Sequence, residues 1–102
     1  MMVKKSVFEE VGGMSEEYVK AYYDIDFCLK VRNLGKLIVY NPSAELFYYG
    51  EKTEAILSLD NTKGAAKDAE ILFGKWKKVI EAGDPYYNPN LTVEKLDFSL
   101  RR

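Results

Sequence analysis

Ala65, Ala69, Leu72, Phe73, Trp76, Val79 and Ile80 recur at the spacing of one helix face, while Lys67, Lys75, Lys77 and Lys78 fall elsewhere. A chain with this stripe has to bury a long amphipathic helix, and so needs a second layer of structure to receive it. The helix is expected to end at Gly83, because the DPYYNPN run from Asp84 is made of residues that set turns. With 102 residues there is material for one such core and not for two. Residues 1–102 therefore read as a single domain, of which 84–102 form a loop and tail.

Upstream, residues 2–5 read as a short strand, and Ser6-Val7-Phe8-Glu9 has the S-x-x-E spacing of a capping box, so a short helix is expected to begin at Ser6. Gly12-Gly13 closes it. Residues 15–20 read as another helical turn. Residues 24–34 read as a helix with Phe27, Cys28, Val31 and Leu34 on one face and Gly35 as the stop. Residues 36–41 (KLIVYN) and 44–49 (AELFYY) are rich in β-branched and aromatic residues and flank a proline turn at Asn41-Pro42-Ser43, which predicts two strands. The expected fold class is α/β: a short strand, small helices, a strand pair and a long C-terminal amphipathic helix.

Composition narrows the chemistry. Fifteen Lys and Arg against sixteen Asp and Glu give a net charge of −1 with no long run of either sign, so nucleic acid is not an expected partner. There is no histidine, which removes the commonest general base and the commonest nitrogen ligand for a metal. It also leaves Ser and Cys without the base that would make either a nucleophile. Cys28 is the single cysteine, so no internal disulfide forms and a reducing, cytoplasmic setting is expected. No stretch approaches the roughly 18–20 apolar residues that cross a bilayer, so no transmembrane segment is expected.

Five segments occur in order: FEEVGG from Phe8, YYDIDFCL from Tyr22, GKLIVYNP from Gly35, the helix carrying Glu70, Phe73, Lys75 and Trp76, and DPYYNPNLT from Asp84. Together they resemble the C-terminal, acceptor-side part of family 2 glycosyltransferases of the GT-A fold, and the resemblance runs through nearly the whole chain. It implies an α+β fragment of that fold. It also implies transfer of a sugar from a nucleotide-activated donor to an acceptor hydroxyl, often in building cell-surface polysaccharide. The full-length family uses a divalent metal, Mn or Mg; no cofactor is expected in this chain itself.

In the family pattern an acidic residue at the start of the helix after the glycine pair is the catalytic base of an inverting transfer, and Asp24 matches that place. A helix N-terminus keeps a carboxylate there ionised. The same position also suits a plain N-cap, and both readings stand for Asp24. Asp26 is expected as a first-turn partner of the helix dipole and, with Tyr48, Tyr86 and Tyr87, as a candidate substrate contact. Asp24-Ile25-Asp26 spells D-x-D, the string that holds metal and diphosphate in such enzymes. In the family that string ends a strand of the nucleotide-binding half, whereas this one opens a helix, so no metal ligand is assigned.

The chain also departs from the pattern. Tyr23 stands where the family often has Glu, and Tyr48 where it commonly has a metal-binding histidine, for which a phenol of pKa about 10 is a poor substitute. Glu51-Lys52-Thr53-Glu54 replaces a basic stretch. No nucleoside-binding series precedes Val3, so the isolated chain is expected to be inactive, and to need either a missing nucleotide-binding half or other copies of itself. A homo-oligomer is expected, because strands made for an absent partner leave open edges. The alternative reading is a non-catalytic carbohydrate-binding or self-assembling module derived from the same fold. Trp76 is expected in the core, and Tyr86 and Tyr87 in a structural clasp in preference to a ligand contact.

Overall fold

The computed structural model describes residues 1–49, 63–94 and 99–101. Three helices carry them: α1 (Lys5–Glu10), α2 (Tyr23–Asn33) and α3 (Lys63–Glu81). The first two end in the same way. After α1 the Gly12 N–H donates to the Glu9 carbonyl (3.1 Å) and the Gly13 N–H to the Phe8 carbonyl (2.9 Å). After α2 the Gly35 N–H donates to Arg32 (2.9 Å) and the Lys36 N–H to Val31 (3.4 Å). These paired bonds are the Schellman closure, which needs a left-handed residue just past the helix; Gly12 (φ +78°) and Gly35 (φ +74°) supply it.

The start of α1 differs from the capping-box expectation. The helix begins at Lys5 after extended Lys4, with no side-chain cap, and Glu9 instead pairs with Lys5 Nζ at 3.7 Å. Residues 15–20 form turns and bends in place of a helical turn, because the amides of Val19 and Lys20 are drawn to the Asp68 carboxylate and not to carbonyls four residues back.

The apolar core among the described residues is small: Tyr18, Phe27, Val31, Ala65 and Leu72. Phe27 and Val31 come from α2, Ala65 and Leu72 from α3, and Tyr18 from the loop before α2. Phe8 joins α1 to this layer, its ring 5.6 Å from that of Phe27. Gly13 leaves room for it, since a Cβ there would sit 3.2 Å from the Phe8 ring. Phe73 and Val79 of the expected stripe are exposed. The helix departs from helical geometry at Trp76 (φ −111°, ψ 20°), and the buried face of its first half runs Ala65, Asp68, Leu72.

The α/β expectation is overturned. Residues 2–4 have no regular structure, and residues 36–49 form no strand. The only pairing among the described residues is an isolated antiparallel bridge, Leu91 with Leu100. The turn between the two supposed strands does form: Ala44 N–H reaches the Asn41 carbonyl at 3.2 Å and Ser43 N–H the Asn41 side chain at 3.0 Å. What is missing is a ladder. Leu37, Val39, Tyr40, Leu46, Phe47, Tyr48 and Tyr49 are all exposed, so the apolar character that suggested strands is not spent on a sheet face. The described architecture is helical, with α2 and α3 held together directly and through the loop before α2.

Residues 84–92 make two successive turns of the same kind. Asp84 accepts from the Tyr86 N–H (2.8 Å) and Asn88 from the Asn90 N–H (2.9 Å), each just ahead of a proline. The Tyr87 hydroxyl donates to the Thr92 carbonyl (2.8 Å), and the Arg101 N–H to the Asn90 carbonyl (2.7 Å). The loop is thus tied to itself and to part of the tail. No helix among the described residues is long and apolar enough to cross a membrane.

Candidate functional site

The first turn of α2 sends its two aspartates in opposite directions. Asp24 is exposed and, among the described residues, accepts only from the neighbouring Ile25 N–H, at 2.9 Å. It is not the N-cap; that place belongs to Tyr22, whose φ of +68° is left-handed. For a residue with a Cβ this conformation costs about 1–2 kcal/mol. Asp24 stands at one end of a shallow cleft of about 290 Å³ lined by Ile25, Cys28, Leu29, Arg32, Ile38 and Met1. Asp24, Cys28 and Arg32 are spaced four residues apart and so share one helix face, two turns long. Burial pushes the Cys28 thiol up, and the Asp24 charge adds to that, so the thiol stays protonated at neutral pH.

Asp26 is wholly buried (0% exposed) and is the best-connected side chain among the described residues. Ser15 Oγ donates to its Oδ2 at 2.6 Å, Trp76 Nε1 to Oδ1 at 2.7 Å and the Tyr18 hydroxyl to Oδ1 at 3.3 Å. The ammonium groups of Lys75 (3.0 Å) and Lys30 (3.2 Å) complete the set. Burial alone would raise this carboxyl's pKa, but the hydrogen bonds from Ser15, Trp76, Lys75 and Lys30 outweigh it and hold the group well below the usual carboxylate range. The same site pushes the Tyr18 phenol up to about 12, first by burial and then by the Asp26 charge. Lys75 loses from burial but gains more from Glu17 (2.9 Å) and Asp26, so its ammonium form is favoured. Asp26 therefore joins α2, the loop before it and α3.

A second buried carboxylate lies on α3. Asp68 is also 0% exposed and accepts from three consecutive backbone N–H groups: Val19 (3.1 Å to each oxygen), Lys20 (2.7 Å) and Ala21 (3.0 Å). These bonds, the one from Lys20 foremost, outweigh burial and hold its carboxyl below the ordinary value.

The structure does not bring the candidate substrate contacts together. Tyr48 lies in the exposed segment 36–49, Tyr86 is exposed at the tip of its turn, and Tyr87 is engaged with Thr92 in its own loop. Asp26 has its oxygens filled by protein donors, so any contribution to a substrate runs through the groups it holds. Glu51 to Glu54 lie outside the described residues. Asp24 and Asp26 do not form a ligand pair for a divalent ion, one facing water and the other sealed among five donors. No group of three or more acidic or thiol side chains among the described residues gathers to hold a metal. Residue-level reading missed Asp68, Ser15, Lys30 and Tyr18. For Asp68 a signal existed: it stands three residues after Ala65 and four before Leu72, on the buried stripe itself.

Over 98% of its length the chain is 34% identical to an uncharacterized protein of Sinorhizobium fredii, y4gI. Over its full length it is 29% identical to the O-antigen biosynthesis protein RfbC of Myxococcus xanthus. It spans 11% and 8%, respectively, of the lengths of these two relatives. No protein-family profile and no solved structure matches the chain.

Proposed function

We propose that this chain is the acceptor-side part of a sugar-transferring enzyme in polysaccharide assembly, with Asp24 as the base. The observation that carries the reading is the division of labour in the first turn of α2: Asp26 is consumed by structure, while Asp24 is left exposed and facing a cleft. The likeness to a protein of O-antigen biosynthesis agrees with it. In the transfer, Asp24 takes the proton of an acceptor hydroxyl as that oxygen forms the new glycosidic bond. The nucleoside diphosphate leaves with the electrons of the old one. The donor-binding groups lie outside these residues, in a nucleotide-binding half that the chain requires.

The test is calorimetric titration of the 102-residue chain with neutral oligosaccharides, and separately with nucleotide sugars and Mn²⁺, beside the Asp24→Asn variant. Oligosaccharide binding that the substitution weakens about tenfold supports the acceptor-side reading. Silence toward every oligosaccharide at millimolar concentration removes it. Metal-dependent binding of a nucleotide sugar would mean that the chain also completes a donor site.

A second reading rests on a different observation, the exposure of the apolar side chains between Leu37 and Tyr49. In it the chain is a non-catalytic module that assembles with copies of itself through this segment. Sedimentation decides: a monomer at high concentration argues against it, and a dimer that Phe47→Glu dissociates argues for it.

A further inference from the structure

The start of α2 is a backbone arrangement that its local sequence does not favour. Tyr22 is the one non-glycine residue with positive φ among the described residues, and it immediately precedes the turn that carries Asp24. Its carbonyl accepts the Asp26 N–H at 2.9 Å and so begins the helix. A tyrosine holds a left-handed conformation only where its surroundings fix it.

On the N-terminal side the fixing group is visible. The three residues just before Tyr22 present their N–H groups to one carboxylate, Asp68, which reaches them from α3 across 47 to 49 positions of chain. Three successive amides aimed at one anion define the path of residues 19–21, and hence the direction in which the chain enters Tyr22. Asp68 has no exposed surface, and these amides fill its oxygens. Lys20 is held from a second direction, its side chain lying against Gly64, where a Cβ would stand 3.0 Å away. On the other side Asp26 fixes the first turn of α2 to the same helix through Trp76 and Lys75. Asp24 lies between these two anchors and has no tertiary hydrogen bond to any of the described residues.

We infer that Asp68 is a positioning residue for Asp24: by gathering the amides of residues 19–21 it imposes the left-handed Tyr22 and sets where α2 begins and where Asp24 is presented. The inference rests on the reading of Asp24 as the acceptor-side base for its functional meaning, while its geometry is tested without any acceptor.

The experiment is backbone NMR of the 102-residue chain, wild type against Asp68→Asn and Asp68→Ala. A positive φ gives a strong intraresidue HN–Hα Overhauser effect, which reports Tyr22 directly. In Asp68→Ala that effect is expected to vanish, and exchange of the Asp26 amide to quicken roughly tenfold, while the Leu34 amide at the other end of α2 keeps its protection. Asp68→Asn retains one acceptor oxygen and should restore part of both signals. It also decides the matter if the alanine variant does not fold. A merely structural loss would lower protection at Leu34 as much as at Asp26, and overturns the proposal. So does a Tyr22 that stays left-handed in a folded Asp68 variant. If these signals change as expected while Asp24→Asn leaves oligosaccharide binding untouched, the positioning of residue 24 stands and its role as the base does not.

Discussion

The indole N–H of Trp76 meets Oδ1 of Asp26 at 2.7 Å, joining α3 to α2 across 50 positions of chain. A tryptophan on the inner side of an amphipathic helix is commonly explained by its area alone. Here its polar edge is used as well, completing a set of donors without which a buried carboxylate would be very costly. Trp76→Phe keeps most of the ring's packing and removes the donor. A charge-assisted bond of this kind is worth about 1.5–3 kcal/mol, and urea denaturation should show a loss in that range. Asp26→Ala, which strands Lys30 and Lys75 as well, should cost roughly 3–5 kcal/mol. The double variant should lose less than the sum of the two, because both remove the same bond. Strict additivity would mean that the bond is not made in solution.

The two buried carboxylates set an acid limit. Both have folded-state pKa values below their unfolded ones, so each contributes stability that is complete above the unfolded carboxyl value, about 3.9, and is lost as pH falls through the folded one. The urea midpoint should therefore drop steadily below about pH 4. Asp26→Asn should give a flatter acid limb from a lower plateau. A wild-type midpoint unchanged down to pH 2 would contradict the network.

Tyr18 sets an alkaline limit of opposite sign. Its phenol is pushed up to about 12 in the folded chain from an ordinary value near 10.0, so the stabilisation is whole below pH 10 and is lost as pH rises through 12. Lys75, also raised, is lost in the same direction. Tyr18→Phe should remove part of this alkaline dependence, and the tyrosine absorbance near 295 nm should show one phenol titrating later than the rest. Eight phenols titrating together would exclude it.

How much of this was legible in the residues depends on whether a feature is local. The ends of α1 and α2 were, because Gly12 and Gly35 meet a requirement for positive φ that lies within one turn. The long helix was, because seven apolar positions share its period. The strand pair was not: β-branched and aromatic residues at 36–41 and 44–49 state a preference, but a strand exists only with a partner, and none is paired to them among the described residues. Asp26 and Asp68 were hidden for another reason. A carboxylate on a helix reads as a surface residue until its donors are known, and apart from Lys30, one turn away, those donors come from 8 to 50 positions away. The S-x-x-E string at Ser6 misled, since Glu9 prefers Lys5 one turn back.

The glycine ends give a graded prediction. Gly35 has open space where a Cβ would go, so Gly35→Ala should lose only the left-handed backbone term, about 1–2 kcal/mol. Gly13 has positive φ too, and in addition its Cβ would press on the Phe8 ring at 3.2 Å, so Gly13→Ala should cost more and should disturb the Phe8–Phe27 contact. Thermal unfolding of the two variants side by side, with the aromatic proton shifts of Phe27, separates the two effects. Equal losses would show that the Phe8 ring moves aside freely.

Asp24 should be the carboxylate whose loss the fold tolerates. It is exposed, its only hydrogen bond among the described residues is from the adjacent amide, and its interaction with the dipole of α2 is worth about 0.3–1 kcal/mol at most. Asp24→Asn keeps the acceptor oxygen and should unfold within about 0.5 kcal/mol of the wild type, in contrast to Asp26→Asn in the same turn. If its purpose is to receive a proton from an acceptor hydroxyl, the neutral amide should bind oligosaccharide more weakly while the amide spectrum elsewhere is unchanged. A substitution at Asp24 as damaging to stability as one at Asp26 would instead make both aspartates parts of one structural turn, and the cleft beside Ile25 and Arg32 would lose its claim to chemistry.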